Sequence, residues 1–222
     1  EDLLETQIMC LQPGFKPRLP QGATMEKAFA QLLGQALAFQ YPDHPEFDGE
    51  VRITDLGKVF GELRRAMHAE NGRIDVDSPL RPLMRQIAQP LKLGEMHERH
   101  FIFKLDWPQH LAREMAKRGG DVTVAALREA MEQPRPKGLP NAVQNLLIMV
   151  FAEHGQYAYN FHGGPFSDVT LKDIRDELVL IKQELAEPEQ WKAAIDNAGA
   201  LFGLTVNPLR TANNQNDLEK QV

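Results

Sequence analysis

His97 and His100 stand three apart in Met96-His97-Glu98-Arg99-His100, a spacing that on a helix sets both imidazoles on one face. A catalytic zinc helix needs four-residue spacing in H-E-x-x-H, and this segment runs directly into strand-like His100–Leu105. Surface histidines beside a turn are therefore expected, with no metal site. His44, in Tyr41-Pro42-Asp43-His44-Pro45, and His162, before Gly163-Gly164, read as turn residues in the same way. Cys10 is the single cysteine, so neither an internal disulfide nor a Cys-rich zinc site is available. Asp173, Asp176 and Glu177 cluster ahead of an apolar run and read as a solvated helix end in preference to an acid–base pair. The serines are Ser78 and Ser167; Ser78 precedes Pro79 in a capping context, and neither lies in a G-x-S-x-G elbow. No G-x-x-x-x-G-K-[ST] or G-x-G-x-x-G run is present, and Gly163-Gly164 lacks the lysine and helix that would cradle phosphate. The expectation is a chain with no catalytic, cofactor-binding or metal-binding residues of its own. A hydrolase using its carboxylates has no motif behind it.

Nucleic acid is the remaining chemistry to weigh. Lys58, Arg64, Arg65, Arg73, Arg81, Arg85 and Lys92 fall within residues 58–92, against Glu62, Glu70, Asp75 and Asp77. Arg81 and Arg85 stand four apart, on one face of a predicted helix. Mixed-sign charge is usually a solvated face, so DNA contact through these seven cations is the alternative reading and not the first. The whole chain carries net charge −6, which argues against non-specific coating of nucleic acid or a membrane surface.

The elements that would position these residues follow from pattern. Hydrophobic residues at 42% and charged ones at 25% support a real core. Residues 1–23 form a leading segment broken by Pro13, Gly14, Pro17 and Pro20. Thr24 caps a helix carrying Ala28, Leu32, Leu33, Ala36 and Leu37 through about Gln40. Val51-Arg52-Ile53 reads as a short strand, and Thr54 as the cap of a helix burying Leu56, Val59, Phe60, Leu63 and Met67. Arg73–Val76 alternates as a strand. Ser78-Pro79 opens a helix burying Leu80, Leu83, Met84, Ile87 and Leu91, and His100–Leu105 is a strand. A helix from Asp106 stops at Gly119-Gly120. Val122–Val124 is extended and leads into a helix with Leu127, Ala130 and Met131. Pro140 opens the most apolar helix, Val143–Glu153, expected at the centre of a core. Tyr157–Phe161 and Leu178–Ile181 read as strands, with Gly163-Gly164-Pro165 a turn between them. Glu187-Pro188 begins a helix with Trp191, Ile195, Ala198, Leu201 and Phe202, closed by Gly203. Asn207-Pro208 starts a last short helix, and 213–222 is polar enough to fray.

The fold class expected is mainly α with a few short β-strands: helical, with winged-helix-like modules. Residues 106–182 run helix, extended piece, helix, helix and two strands, and residues 24–105 repeat that order loosely. The expected divisions are 1–23, 24–105, 106–205 and 206–222. In the recognition position of the second module, helix 140–154 offers Asn141, Gln144, Asn145 and His154 but no arginine or lysine. That helix reads as buried or protein-facing. The longest apolar run, Leu146–Ala152, is far short of the roughly 20 residues of a membrane span. With no signal peptide visible and one cysteine, a soluble, cytoplasmic setting is expected, and Glu1 in place of methionine suggests a fragment.

Several phrases together resemble a family: Phe47-Asp48-Gly49-Glu50-Val51, Ile87-Ala88-Gln89-Pro90-Leu91-Lys92-Leu93-Gly94-Glu95, Gly138–Leu146, His162–Pro165, Asp176-Glu177-Leu178 and Ala200–Leu204. They are similar to the C-terminal region of the large P-loop phage-resistance ATPases, the PglY/BrxC type of bacterial phage-growth-limitation and BREX defence systems, over about residues 40–215. The resemblance implies a longer parent with an ATPase domain upstream, ATP and magnesium bound there, and a role in blocking phage replication with other components of the system. Lacking the P-loop, this chain receives no ATP-binding residue from the resemblance. Together with the cofactor-poor sequence and the apolar 140–154 helix, it leads to the expectation of a non-catalytic assembly or partner-binding module contacting those components or another copy of itself, with no membrane partner.

Overall fold

The computed structural model describes residues 13–21 and 24–222. Cys10 and the apolar residues Leu3, Leu4, Ile8 and Met9 of the leading segment lie outside them. The chain divides into two compact units, one running through Pro45 and including 132–139, the other Glu46–Met131 with Pro140–Val222.

The first unit is built on α1 (Met25–Gln40), which Thr24 caps by accepting from the Lys27 amide. Gln35 clasps the preceding segment, accepting from the Arg18 amide and donating to its carbonyl. Arg135 and Asp43 pair across the unit, and the Tyr41 ring lies where a side chain at Gly138 would stand (φ +57°). The predicted apolar stripe holds only in part: Ala28, Leu32 and Ala36 are half-buried, while Leu33 and Leu37 face solvent.

The second unit is mixed and mainly helical, with two small antiparallel sheets. Its first element is α2 (Ile53–Met67), burying Leu56, Val59, Leu63 and Ala66. The strand expected at Val51–Ile53 is absent: Arg52 is extended at the N-cap and Ile53 already belongs to the helix, so Thr54 lies inside it and not at the cap. A 3₁₀ turn at Glu70–Gly72 leads to β1 (Arg73–Asp75). Ser78-Pro79 does not cap a helix. A turn closes there (Leu80 amide to Asp77 carbonyl, 2.9 Å), and α3 (Arg81–Leu83) passes at once into a π-helical turn, Met84–Ala88. That wider turn keeps Met84, Ile87, Ala88 and Leu91 in the core, and Leu80 and Leu83 are only half-buried. Strands β2 (Gly94–Met96) and β3 (His100–Phe103) complete the first sheet in the order β1-β3-β2, with Ile74 and Met96 flanking fully buried Phe101.

Helix α4 (Asp106–Arg118) is anchored by Trp107, whose indole N–H donates to the Leu91 carbonyl at 2.6 Å, and it stops at Gly119 (φ +68°). Next come β4 (Val122–Thr123) and α5 (Val124–Met131), where the Thr123 hydroxyl accepts from the Ala126 amide. Helix α6 (Asn141–Gly155) buries nine residues, including Val143, Leu146, Leu147, Ile148, Val150 and Phe151, and packs against α2, α4 and α5. It is the central element, as its composition predicts. The second sheet holds β5 (Tyr157–Phe161), β6 (Gly164–Phe166) and β7 (Val179–Lys182) with β4, ordered β4-β7-β5-β6. Three strands follow α6, not two. The tight turn is His162-Gly163, both at positive φ, and Gly164-Pro165 belong to β6. Proline is tolerated because β6 is an edge strand.

Helix α7 (Pro188–Phe202) closes at Gly203 in the left-handed conformation. Its Trp191 and Ala198 pack with Leu218 in a small separate core, but Leu201 and Phe202 face solvent, contrary to the predicted stripe. The last helix begins later than Asn207-Pro208. It is α8 (Ala212–Gln221), capped by the Thr211 hydroxyl, with Asn214 and Leu218 buried. Asn214 donates to the Leu209 carbonyl at 2.7 Å, which explains how so polar a segment is tied down.

Candidate functional site

An ionised acid sits near the end of the most apolar helix. Glu153 is 6% exposed, and its Oε1 accepts from Arg64 Nε (3.2 Å) while lying 2.8 Å from His68 Nε2. Arg64 lies in the last turn of α2 and His68 is its C-cap, so the cluster ties α2 to α6. Burial pushes the Glu153 pKa up, but the His68 hydrogen bond and the charges of Arg64 and His68 outweigh it and hold the carboxyl below its ordinary range. Next to it, His154 is pushed down by partial burial and by the His68 charge. An acid with a lowered pKa makes a poor general base near neutrality, so this arrangement suits binding or cohesion better than proton transfer.

Glu153 and Arg64 lie in the wall of a cavity of about 540 Å³ between α2, α6, the β5–β6 hairpin and α8. Phe60, Tyr157 and Phe166 supply aromatic walls, and Asp217, Glu219 and Lys220 of α8 line it beside Asn216. Tyr159 also lines it. Its hydroxyl is buried and makes no hydrogen bond among the described residues, and burial followed by the Glu153 charge pushes its pKa well up, so it stays protonated. Sequence reasoning missed this site. The legible signal was Glu153 itself, an acid inside a stretch expected to be buried, which requires a cationic partner.

The seven predicted cations do not form one free face. Arg64 is in the Glu153 cluster, and Lys58 pairs with Asp55 at 3.3 Å. Arg65 grips Glu62 with one terminal nitrogen (2.7 Å and 2.9 Å) and reaches the Asp75 carbonyl. Arg81 donates to the Val76 carbonyl (2.8 Å) and Arg85 to that of His97 (2.9 Å), so both brace the loops around the first sheet. Arg73 and Lys92 remain exposed, Lys92 at φ +55° in a turn. On α6, Gln144 and Asn145 accept from Arg128 (2.8 and 2.7 Å), and Asn145 donates to the Leu171 carbonyl. Asn141 stands at the helix start, and His154 packs near Phe103.

His97 and His100 stack at 4.9 Å in the β2–β3 turn region, not on a helix, with Glu95 beside His97. His44 approaches the Lys137 carbonyl at 2.7 Å, and His162 forms the β5–β6 turn. No cluster of three metal-ligating side chains occurs among the described residues. Asp173, Asp176 and Glu177 lie in the β6–β7 loop and not at a helix end, and Asp176 accepts from Arg128 at 2.7 Å. Ser78 lies in the turn before α3, and Ser167 lines the cavity. Among the described residues, no helix is long and apolar enough to cross a membrane.

Fold and site together describe a mixed, mainly helical module that joins two small antiparallel sheets through one apolar helix. Residues 54–152, from the first turn of α2 almost to the end of α6, match the family model described as the BREX System ATPase PglY protein 5th domain. The resemblance to PglY-type ATPases is therefore shown over that segment. No solved structure matches the chain significantly.

Proposed function

We propose that the chain is a non-catalytic assembly module of a BREX ATPase, which docks another protein of the defence system or a second copy of itself. The observation that carries this reading is α1. Among the described residues nothing buries it, and Met25, Phe29, Leu33 and Leu37 recur every four residues at 88, 65, 47 and 45% exposure. A helix with an apolar stripe left uncovered is the form in which grooves of partner proteins read helices. The family match supports the setting, since a domain of a multi-protein defence system has partners to meet. ATP and magnesium belong, on this reading, to the parent's upstream ATPase domain, and the setting is cytoplasmic.

The finer fold reading, a winged-helix-like module at 106–182, draws support from the order α4-β4-α5-α6-β5-β6-β7, with β4 and β5 both pairing with β7. In this module the helix in the recognition position is buried, which favours structural use of the fold over DNA reading. The test is co-purification with the other components of the BREX system, together with size-exclusion light scattering. Phe29→Glu with Leu33→Glu abolishes the interaction and leaves the circular dichroism spectrum unchanged. A wild-type chain that stays monomeric and captures none of those components overturns the proposal.

A further inference from the structure

From Ala28 to Gln40, α1 carries no ionisable side chain. Gln31 and Gln35 are turned toward the leading segment, where they accept from the Gln21 and Arg18 amides. The exposed face consists of two adjacent ridges, each repeating every four residues. Phe29, Leu33 and Leu37 form a raised ridge and Ala30, Gly34 and Ala38 a shallow one, all six exposed. Packing within the unit does not explain Gly34. A Cβ there would meet nothing within 4 Å among the described residues, and glycine weakens a helix interior.

Charge and relief together select the occupant. An uncharged face gives a charged groove nothing to pair with and leaves that groove's ions desolvated. Two copies of the same face bring no charge of either sign together. The steric pattern is also complementary to itself. A two-fold axis along the common ridge direction sets the raised ridge of each copy against the shallow ridge of the other. Four-residue ridges that meet in this way cross at about −50°, the commonest class of helix packing, here with the two chains parallel. Glycine at the centre lets the backbones approach. We propose that the partner of α1 is α1 of a second copy, paired about a two-fold axis at Leu33 and Gly34. This deepens, and rests on, the reading of α1 as a docking helix. One helix face per copy lies below the roughly 1,200 Å² in total that stable complexes bury, so the dimer is weak and concentration-dependent.

Sedimentation velocity on the 222-residue chain from about 5 μM to 1 mM tests this, since weak contacts populate in that range. The expected result is a reversible shift from monomer toward dimer. Gly34→Leu adds apolar area and helix propensity but fills the trough against the partner's raised ridge. Self-association then weakens about tenfold or more while the circular dichroism spectrum holds. Adding Leu33→Ala exchanges ridge and trough at that height and recovers part of the loss, which a folding defect or reduced apolar area would not. A wild-type chain monomeric throughout, or a Gly34→Leu chain that associates as well or better, overturns the proposal. The two readings fail separately. A monomer that still captures another component of the BREX system through α1 overturns only the second-copy inference, and one that captures none overturns both.

Discussion

Glu153 shows how one side chain couples chemistry to cohesion. Its depressed pKa means that folded protein holds the carboxylate at pH values where unfolded chain is protonated. The stabilisation is therefore full above the unfolded value of about 4.3 and is lost as pH falls through the folded one. His154 acts in the same direction by the opposite chemistry. Its lowered pKa lets the unfolded chain take up a proton first, so stability begins to fall below about pH 6.5. Thermal melts from pH 7.5 to 4 should show a decline in two stages, and His154→Gln should remove the earlier stage alone. Glu153→Gln should lower stability by about 1–3 kcal/mol at pH 7, because it strips the charge that Arg64 and His68 share. Denaturant melts read this directly, and an unchanged midpoint would mean that the cluster is idle.

At the scale of elements, two positions tie the architecture together. Gly94 in β2 has no room for a side chain, since an added Cβ would overlap the Phe101 ring and the Ile102 carbonyl across the strand pair. Backbone cannot move aside cheaply, so Gly94→Ala should destabilise by about 3 kcal/mol or more and broaden the resonances of the first sheet. Arg128 on α5 bonds Asp176, Gln144, Asn145 and the Ile174 carbonyl, pinning the long β6–β7 loop to two helices. Arg128→Ala should cost about 2–3 kcal/mol and speed amide exchange selectively across 170–178. Elements with strong periodicity were legible from sequence: α2, α4 and α6 fall where their apolar residues place them. Those that depend on a neighbour were not. Arg73–Asp75 is a strand because β3 lies beside it, and Val51–Ile53, with equal β propensity, has no such partner. The π turn at Met84–Ala88 has no sequence signature at all; the core chose it to keep Ile87 and Leu91 inside.

For the whole molecule, the fold bears on how the DNA alternative should be tested. Charge reversal at Arg81 and Arg85 would remove bonds to the Val76 and His97 carbonyls, so weakened binding would be confounded with a damaged sheet. Arg73→Glu and Lys92→Glu are the sounder pair, both exposed. The assembly reading expects this double variant to leave duplex affinity at low and moderate salt unchanged from a weak wild-type baseline. Tight wild-type binding with a steep salt slope that the variant flattens would favour the DNA reading.

Residue order alone determined where α2, α4 and α6 form, that α6 lies at the centre, and the two family phrases, Ile87–Glu95 and Gly138–Leu146, that fall inside the match at 54–152. Those are local or compositional properties: a 3.6-residue apolar period, a proline start, a glycine stop. Only the tertiary structure decided where the cations go, because an arginine's worth as a ligand contact depends on which carbonyl or carboxylate reaches it first. It also brought Arg64, Glu153 and Tyr159, from three elements, to one cavity. No spacing encodes that meeting, since it arises from the packing of α2 on α6 and from the register of the sheet beyond them.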